Sequence, residues 1–413
     1  MAVTPHSTDG VLAGPSGKQA PGLDTAVSAP RLAFIDGLRG IAALVVAMGH
    51  IIGMVPPDHP TTTFVRATLG EKLIWPWLFG GPMVWLFILV SGFALTWSEE
   101  SRIASGRGRS SLRVFARRRA WRILPTYYVS LLLGLLVVLG FGRILVRPSP
   151  SLDTFEPVTL AGVLSHLGLV HNLDPNWVHQ INPPLWSIAV EAQLYLLFPV
   201  LAWAMFRWRP YLPVLVLLVA TKIANHVSPV QLFGLITWFV AGSVLAYVLR
   251  RHHASRPWLL ATAGLAGILG LYRGPAQATT QTGQPIWLIA FVALVAALAG
   301  ARPGRLNVAT WKRTVLLGRS SYSLYAVHFP IAVLVWAVVG RLELPHAASV
   351  LLMIAVAAPT SLAAATVSYR FVEGPSLGRV QAVGSRPPTA GQGAATLPRP
   401  TDGCVAIAGT RRR

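Results

Sequence analysis

Runs of about twenty apolar residues recur along this chain between short polar or basic connections, and about twenty residues of helix is what crosses a hydrocarbon core of roughly 30 Å. The runs fall at about 34–55, 75–97, 124–142, 185–206, 211–227, 230–249, 257–272, 285–300, 316–340 and 347–368. They predict an all-α fold, a polytopic membrane helix bundle of about ten transmembrane helices. A moderately apolar piece at 158–171 is too short, and too polar at its flanks, to count as a span. Residues 1–30 and 374–413 are rich in Pro, Gly, Ala and Thr and read as disordered arms flanking a transmembrane domain over 31–373.

The connections decide the orientation. Eight arginines lie between 102 and 122, and with both termini in the cytoplasm, seventeen basic residues face inward against seven outward. That asymmetry fits an even number of spans and a multi-pass cell-membrane protein with cytoplasmic ends. The composition agrees: only 12% of residues are charged and 53% are hydrophobic, where a soluble domain carries about a quarter charged. A net charge of +21 raises nucleic acid as a partner. The basic residues recur between apolar runs instead of forming one aromatic-interleaved patch, so nucleic acid is excluded. The one cysteine, Cys404, allows no disulfide within the chain and no cysteine metal site.

Ionisable residues inside spans cost roughly 3 kcal/mol each even on lenient scales, so they normally face a protein interior or a wet cavity. The first span carries three: Asp36, Arg39 and His50. Arg39 and His50, eleven residues apart, return to nearly the same helix face about 16 Å further along. The first span therefore reads as one wall of a site, although an interfacial charge pair of Asp36 and Arg39 is an equally simple account of those two. In a later span Glu191 has Ser187 one turn before it and Tyr195 one turn after. It is either an interhelical brace or the partner of a histidine. Tyr322, Tyr325 and His328 recur at three-residue spacing, as an interfacial aromatic cluster or as part of the site. Arg117, Arg118, Arg119 and Arg122 crowd a helix entry. Positive-inside anchoring explains them, and so does a phosphate-bearing donor, which guanidinium forks bind well. His166, His171, Asp174 and His179 match no tight ligand spacing, and no metal is expected.

Taken together, these stretches resemble the membrane-bound acyltransferase 3 family of bacterial integral-membrane O-acyltransferases. RLAFIDGLRGIAALVVAMGHI is similar to its opening motif, an arginine followed after ten residues by a histidine. VWLFILVSGFALT resembles its second-span motif, here Ser91, Gly92 and Phe93, and RRRAWRILPTYY its basic entry to the third span. LWSIAVEAQLYLLFP, GRSSYSLYAVHFP and YRFVEGP complete the series in the family's order. Trp85 stands where the family usually has an acidic residue, and Gly374 where it often has a basic one.

The resemblance implies transfer of an acyl group, most simply acetyl, from cytoplasmic acyl-coenzyme A, a co-substrate and not a bound cofactor. The acceptor would be a hydroxyl of a sugar, glycan or glycosylated natural product. It casts His50 as general base, Glu191 as the group that orients or charges it, and Arg39 as holding the donor or stabilising charge on the thioester oxygen. Arg117, Arg118, Arg119 and Arg122 would meet the donor's phosphates. The competing reading is a transporter of an anionic or acylated solute, since intramembrane Arg, His and Glu also serve as ion relays.

Overall fold

A computed structural model describes residues 33–56, 75–141, 158–208, 215–216, 219, 231–252, 256–274, 283–299 and 307–385. Among them there is no strand. The helices are α1 (Ala33–Gly53), α2 (Gly80–Ala104), α3 (Leu112–Phe141), α4 (Leu160–Leu167), α5 (Leu185–Trp208), α6 (Gln231–Leu249), α7 (Arg256–Arg273), α8 (Gly283–Ala299), α9 (Lys312–Arg319), α10 (Ser321–Val339), α11 (His346–Ser368) and α12 (Gly374–Ser385). Six helical stretches are long and apolar enough to cross a membrane: α1, α2, α3, α5, α10 and the run from α11 into α12; α6 and α8 hold shorter apolar helices. The protein is thus a multi-pass helical membrane protein. Most of the span expected at 211–227, the arm at 1–30 and the chain beyond 385 lie outside the described residues.

Three boundaries differ from expectation. The second span starts at Gly80, after a 3-10 turn at Trp75–Leu78. The third starts at Leu112, so its arginines ride on the helix itself. The tail expected from 374 is helical to Ser385 and packs against α3. It is entered through a π-helical turn, Tyr369–Glu373. Widening the helix by one residue there turns Glu373 inward, where it is 3% exposed and accepts from the Ser323 hydroxyl at 2.7 Å and the Ser323 N–H at 3.2 Å. A carboxylate anchored at its start holds this segment to the bundle.

Helix α1 is central, packing against α2, α9, α10 and α11. Because lipid tails are as apolar as leucine, helices in a membrane associate through close packing at small residues. The α2–α6 pair does this reciprocally. A Cβ on Gly92 would lie 2.0 Å from the Phe239 carbonyl oxygen, and one on Gly242 would lie 1.9 Å from that of Leu89. The glycine of the Ser-Gly-Phe motif is therefore a contact point between backbones.

Proline sets the next level of order. Pro330 lies inside α10 and has no N–H, so the carbonyl of Ala326, one turn earlier, loses its helical donor. Two side chains replace it: Asn182 Nδ2 donates to that oxygen at 3.0 Å, and the Ser130 hydroxyl of α3 donates to it as well. Asn182 also donates to Ser130 Oγ at 2.9 Å. Its predecessor Ile181 sits at φ 65°, a left-handed conformation that a β-branched residue adopts only when its surroundings impose it. This knot fixes where α5 begins, beside the inner stretches of α3 and α10 and not beyond their ends.

The segment before α5 is drawn in with it. Tyr127 and Tyr128, midway along α3, donate to the carbonyls of His166 and Leu167 at 2.7 and 2.9 Å. Gln193 of α5 donates to Leu169 O at 2.9 Å and exchanges hydrogen bonds with Asn172. The short helix α4 is a re-entrant piece folded into the bundle, too short to span it. Removing Asn182 leaves the Ala326 carbonyl with one donor fewer, so Asn182→Ala should cost about 1–3 kcal/mol of stability. In a Pro330→Ala background the helix regains its own donor and the same change should cost less, a coupling readable from unfolding midpoints in detergent as a double-mutant cycle.

Candidate active site

A cleft opens between α1, α2, α5 and α10, with Arg39, Phe87, Ser187, Glu191, Tyr322 and Tyr325 on its walls. Five of its nine lining residues are ones that the sequence singles out. Arg39 is 8% exposed, its guanidinium 6.0 Å above the Phe87 ring, and its buried Nε has no hydrogen-bond partner among the described residues. Glu191 accepts from the Ser91 hydroxyl at 2.8 Å and from the Tyr195 hydroxyl. Ser187 Oγ and Tyr325 Oη are 2.6 Å apart. Tyr322 donates to the Ile123 carbonyl at 3.1 Å.

Beyond Tyr325 lies the second part of the site. Its ring is 5.9 Å from that of His328, and His328 Nε2 is 2.9 Å from His50 Nδ1. The two imidazoles are nearly coplanar, at 10° with centroids 5.2 Å apart, which fits an in-plane hydrogen bond and not face-to-face stacking. His328 Nδ1 is 3.0 Å from the Leu324 carbonyl oxygen. His328 is fully buried whereas His50 keeps some exposed surface. His50 is thus held by α10. The expected partnership of His50 with Glu191 gives way to this arrangement: the carboxylate sits near Arg39, about 16 Å down α1 from the imidazole, and spends its hydrogen bonds on α2 and on its own helix.

At the arginine-rich end, Arg119 lies over the rings of Phe115 and Tyr195 at 5.7 and 5.4 Å. Arg122 is within electrostatic reach of Tyr195, Glu373, Glu191 and Asp36. Arg39, Arg119 and Arg122 thus share a cluster with three carboxylates and are not a bare patch of positive charge. Arg117 is exposed, and Arg118 is half-buried with an unpartnered Nε. Asp36 is half-buried near the start of α1, its backbone carbonyl packed where any side chain on Gly318 of α9 would have to lie.

Some participants lie outside the residues singled out as site candidates. Ser91 stands inside the Ser-Gly-Phe motif, and Glu373 inside the closing motif, where a buried carboxylate was the available signal. Asn182 and Ser130 carry no pattern that marks them. Trp85 does not line the cleft; it is 8% exposed and stacked on Trp238 at 4.9 Å and 17°. His166 and His171 also pair, with centroids 3.7 Å apart at 11°. Both are fully buried. No group of three or more potential metal ligands occurs among the described residues.

Residues 32–370 match the family described as an acyltransferase domain, over most of the chain. The chain belongs to the acyltransferase 3 family. Acyltransferase MdmB of Streptomyces mycarofaciens is 27% identical over 339 residues, covering 73% of this chain and 79% of that protein. O-acetyltransferase OatA of Staphylococcus aureus is 24% identical over 376 residues, 83% of this chain but only 56% of OatA. O-acetyltransferase PaAT-1 of Phomopsis amygdali is 26% identical over 145 residues, 32% of this chain and 28% of that protein. No solved structure matches the chain. As a family member the protein is an acyltransferase that moves a group other than an amino-acyl group, bringing an acyl donor to a hydroxyl acceptor within the membrane.

In this acyltransferase the site's polar groups are coupled across helices. Tyr195→Phe and Glu191→Leu should each reduce stability by about 1–3 kcal/mol. Combined, they should lose less than the sum by at least about 0.5 kcal/mol, since each removes the same hydrogen bond. Additive losses in detergent unfolding would show that the two side chains act separately.

Proposed function

We propose that the protein transfers an acetyl group from cytoplasmic acetyl-coenzyme A to a hydroxyl of a sugar or glycosylated natural product, with His50 as general base. The supporting observation is a single polar line through the bundle. It runs from Arg39 in the cleft, past Tyr325, to the His50 imidazole, already hydrogen-bonded through Nδ1.

A hydroxyl is a poor nucleophile until its proton leaves, and a neutral imidazole suits that task. The acceptor's O–H proton moves to His50 as its oxygen bonds to the thioester carbonyl carbon. The C–S bond then breaks, and the departing thiolate takes the proton from His50. The balance is closed: an ester and a free thiol form, and the histidine is neutral again.

Arg39 lies about 16 Å from His50 along α1, too far to stabilise an oxyanion formed at the imidazole, so donor binding is its role here. The distance suits an extended pantetheine arm, with its phosphates near the arginine-rich end. Arg117 and Arg118, outside the carboxylate cluster, are the freer groups for those phosphates. Arg119 and Arg122 shape the passage between them and the cleft. Glu191, with Ser91 and Tyr195, holds the cleft wall facing Arg39. The eight arginines between 102 and 122 support a cytoplasmic position for both termini. Relatives named as acyltransferases of MdmB and OatA type support acyl transfer over the transporter reading.

Membranes given labelled acetyl-coenzyme A and an extract of the producing cells should place label in an extractable product without any ion gradient. His50→Ala should lower that transfer by about 10²–10⁴-fold, the usual worth of a general base. Unchanged turnover in that variant would remove His50 from the role. Arg39→Ala should act differently, raising the KM for acetyl-coenzyme A by about tenfold or more, as expected when a charge-assisted contact is lost. An unchanged KM would place the donor elsewhere.

A further inference from the structure

We infer that His328 is a positioning residue that fixes the tautomer of His50, so that Nε2 of His50 is the nitrogen that takes the acceptor's proton. The inference rests on the proposed role of His50 and adds to it the identity of the reacting atom and of the group that selects it.

The assignment follows from donor and acceptor capacity. The Leu324 carbonyl oxygen can only accept, so the 3.0 Å contact requires the proton on His328 Nδ1. A neutral His328 then has a bare Nε2. That atom is 2.9 Å from His50 Nδ1, so the proton in this contact belongs to His50 Nδ1. A neutral His50 is left with its lone pair on Nε2. The reverse assignment sets the lone pairs of His328 Nδ1 and Leu324 O against each other. Charging His328 instead would put an uncompensated cation at 0% exposure inside the bundle, which burial strongly disfavours.

Two further observations give the pair its direction. His50 keeps exposed surface while His328 has none, so only His50 can meet an acceptor. The rings are coplanar to 10°, as an in-plane N–H···N bond requires. When His50 takes the proton, its Nδ1–H remains directed at His328 Nε2, and that bond strengthens as the ring becomes positive. His328 thereby stabilises the charged form without touching substrate. A buried imidazole so fills the place that a carboxylate fills in a serine-protease triad, where loss of the correct tautomer lowers kcat by about 10⁴-fold.

The test compares His328→Phe with His328→Gln. Phenylalanine keeps the bulk and removes the acceptor. The glutamine side-chain oxygen reaches the position of Nε2 and restores it. Transfer of label from acetyl-coenzyme A should fall about 10²-fold in His328→Phe through kcat, with KM for acetyl-coenzyme A within about twofold of wild type, since the lost interaction is made in the transition state. His328→Gln should recover at least about tenfold of that loss. Wild-type activity in His328→Phe, or equal loss in both variants, overturns the inference. A second readout needs no variant at position 328. In protein labelled with ¹⁵N-histidine, and assigned by difference with His50→Gln, His50 should be protonated at Nδ1 and bare at Nε2. The opposite pattern overturns the inference even if both His328 variants fail to fold. Should His50→Ala itself stay active, the base assignment fails. Should His50→Ala be inactive and His328→Phe normal, only the positioning role fails.

Discussion

The structure depends on one constraint: inside an apolar bundle a polar group left without a partner in the protein is costly, because no water is there to supply one. Pro330 illustrates the consequence. By withholding one N–H it creates a demand at the Ala326 carbonyl, and meeting it ties α3, α10 and the start of α5 at one point. Glu191 binds α2 to α5 in the same way, through Ser91 and Tyr195. Glu373 joins the far end of the α11 run to α10 through Ser323. The residues that give the site its chemistry are therefore also those that give the helices their register. Site and scaffold cannot be varied independently.

The same constraint explains what the sequence disclosed and what it withheld. Apolar length located the spans, since the requirement to cross about 30 Å acts on each helix separately. Arg39, Ser187, Glu191, Tyr322 and Tyr325 were legible because polar groups in apolar runs stand out, and the cleft gathers all five. Partnership was less legible. Spacing can say that His50 shares a face with Arg39, but which helix faces His50 depends on crossing angles set by contacts such as Gly92 with Phe239 and Gly242 with Leu89. Hence the sequence left Glu191 open between an interhelical brace and a histidine's partner, and the fold makes it a brace to Ser91. Asn182 and Ser130 were beyond reach for another reason. An asparagine before two prolines and a serine in a leucine-rich span are unremarkable until the missing N–H at Pro330 is seen beside them.

The re-entrant segment at 158–184 shows the limit of hydropathy in the other direction. Its short apolar helix and its histidines read as a loop outside the bundle, yet His166 and His171 are fully buried and their chain is hydrogen-bonded to the middle of α3 and α5. Irregular backbone is tolerated at membrane depth when protein surrounds it. Here Tyr127, Tyr128 and Gln193 supply the required donors. The return of this segment lets α5 start deep in the bundle, and that places Ser187 and Glu191 opposite Arg39.

Trp85 then takes on meaning beyond a departure from the family pattern. An acidic side chain at that position would need a donor or a cation within reach. The neighbours actually present are Trp238 and, beyond it, Phe291, with Trp287 and Phe79 completing a continuous aromatic layer between α2, α6 and α8. Replacing the acid by an indole removes a buried carboxylate and fills the space with stacked rings. The charge that the family usually keeps on α2 is absent from this wall. The carboxylates near the cleft are instead Glu191, Glu373 and Asp36, all within reach of Arg122. Electrostatic balance in this protein is thus concentrated at the arginine-rich end of the cleft, and the His50–His328 pair works in surroundings whose nearest aromatic neighbours, Phe329 and Tyr325, carry no charge. A base that must shed its proton at every turnover is well served by that separation, since among the described residues no carboxylate is hydrogen-bonded to either imidazole.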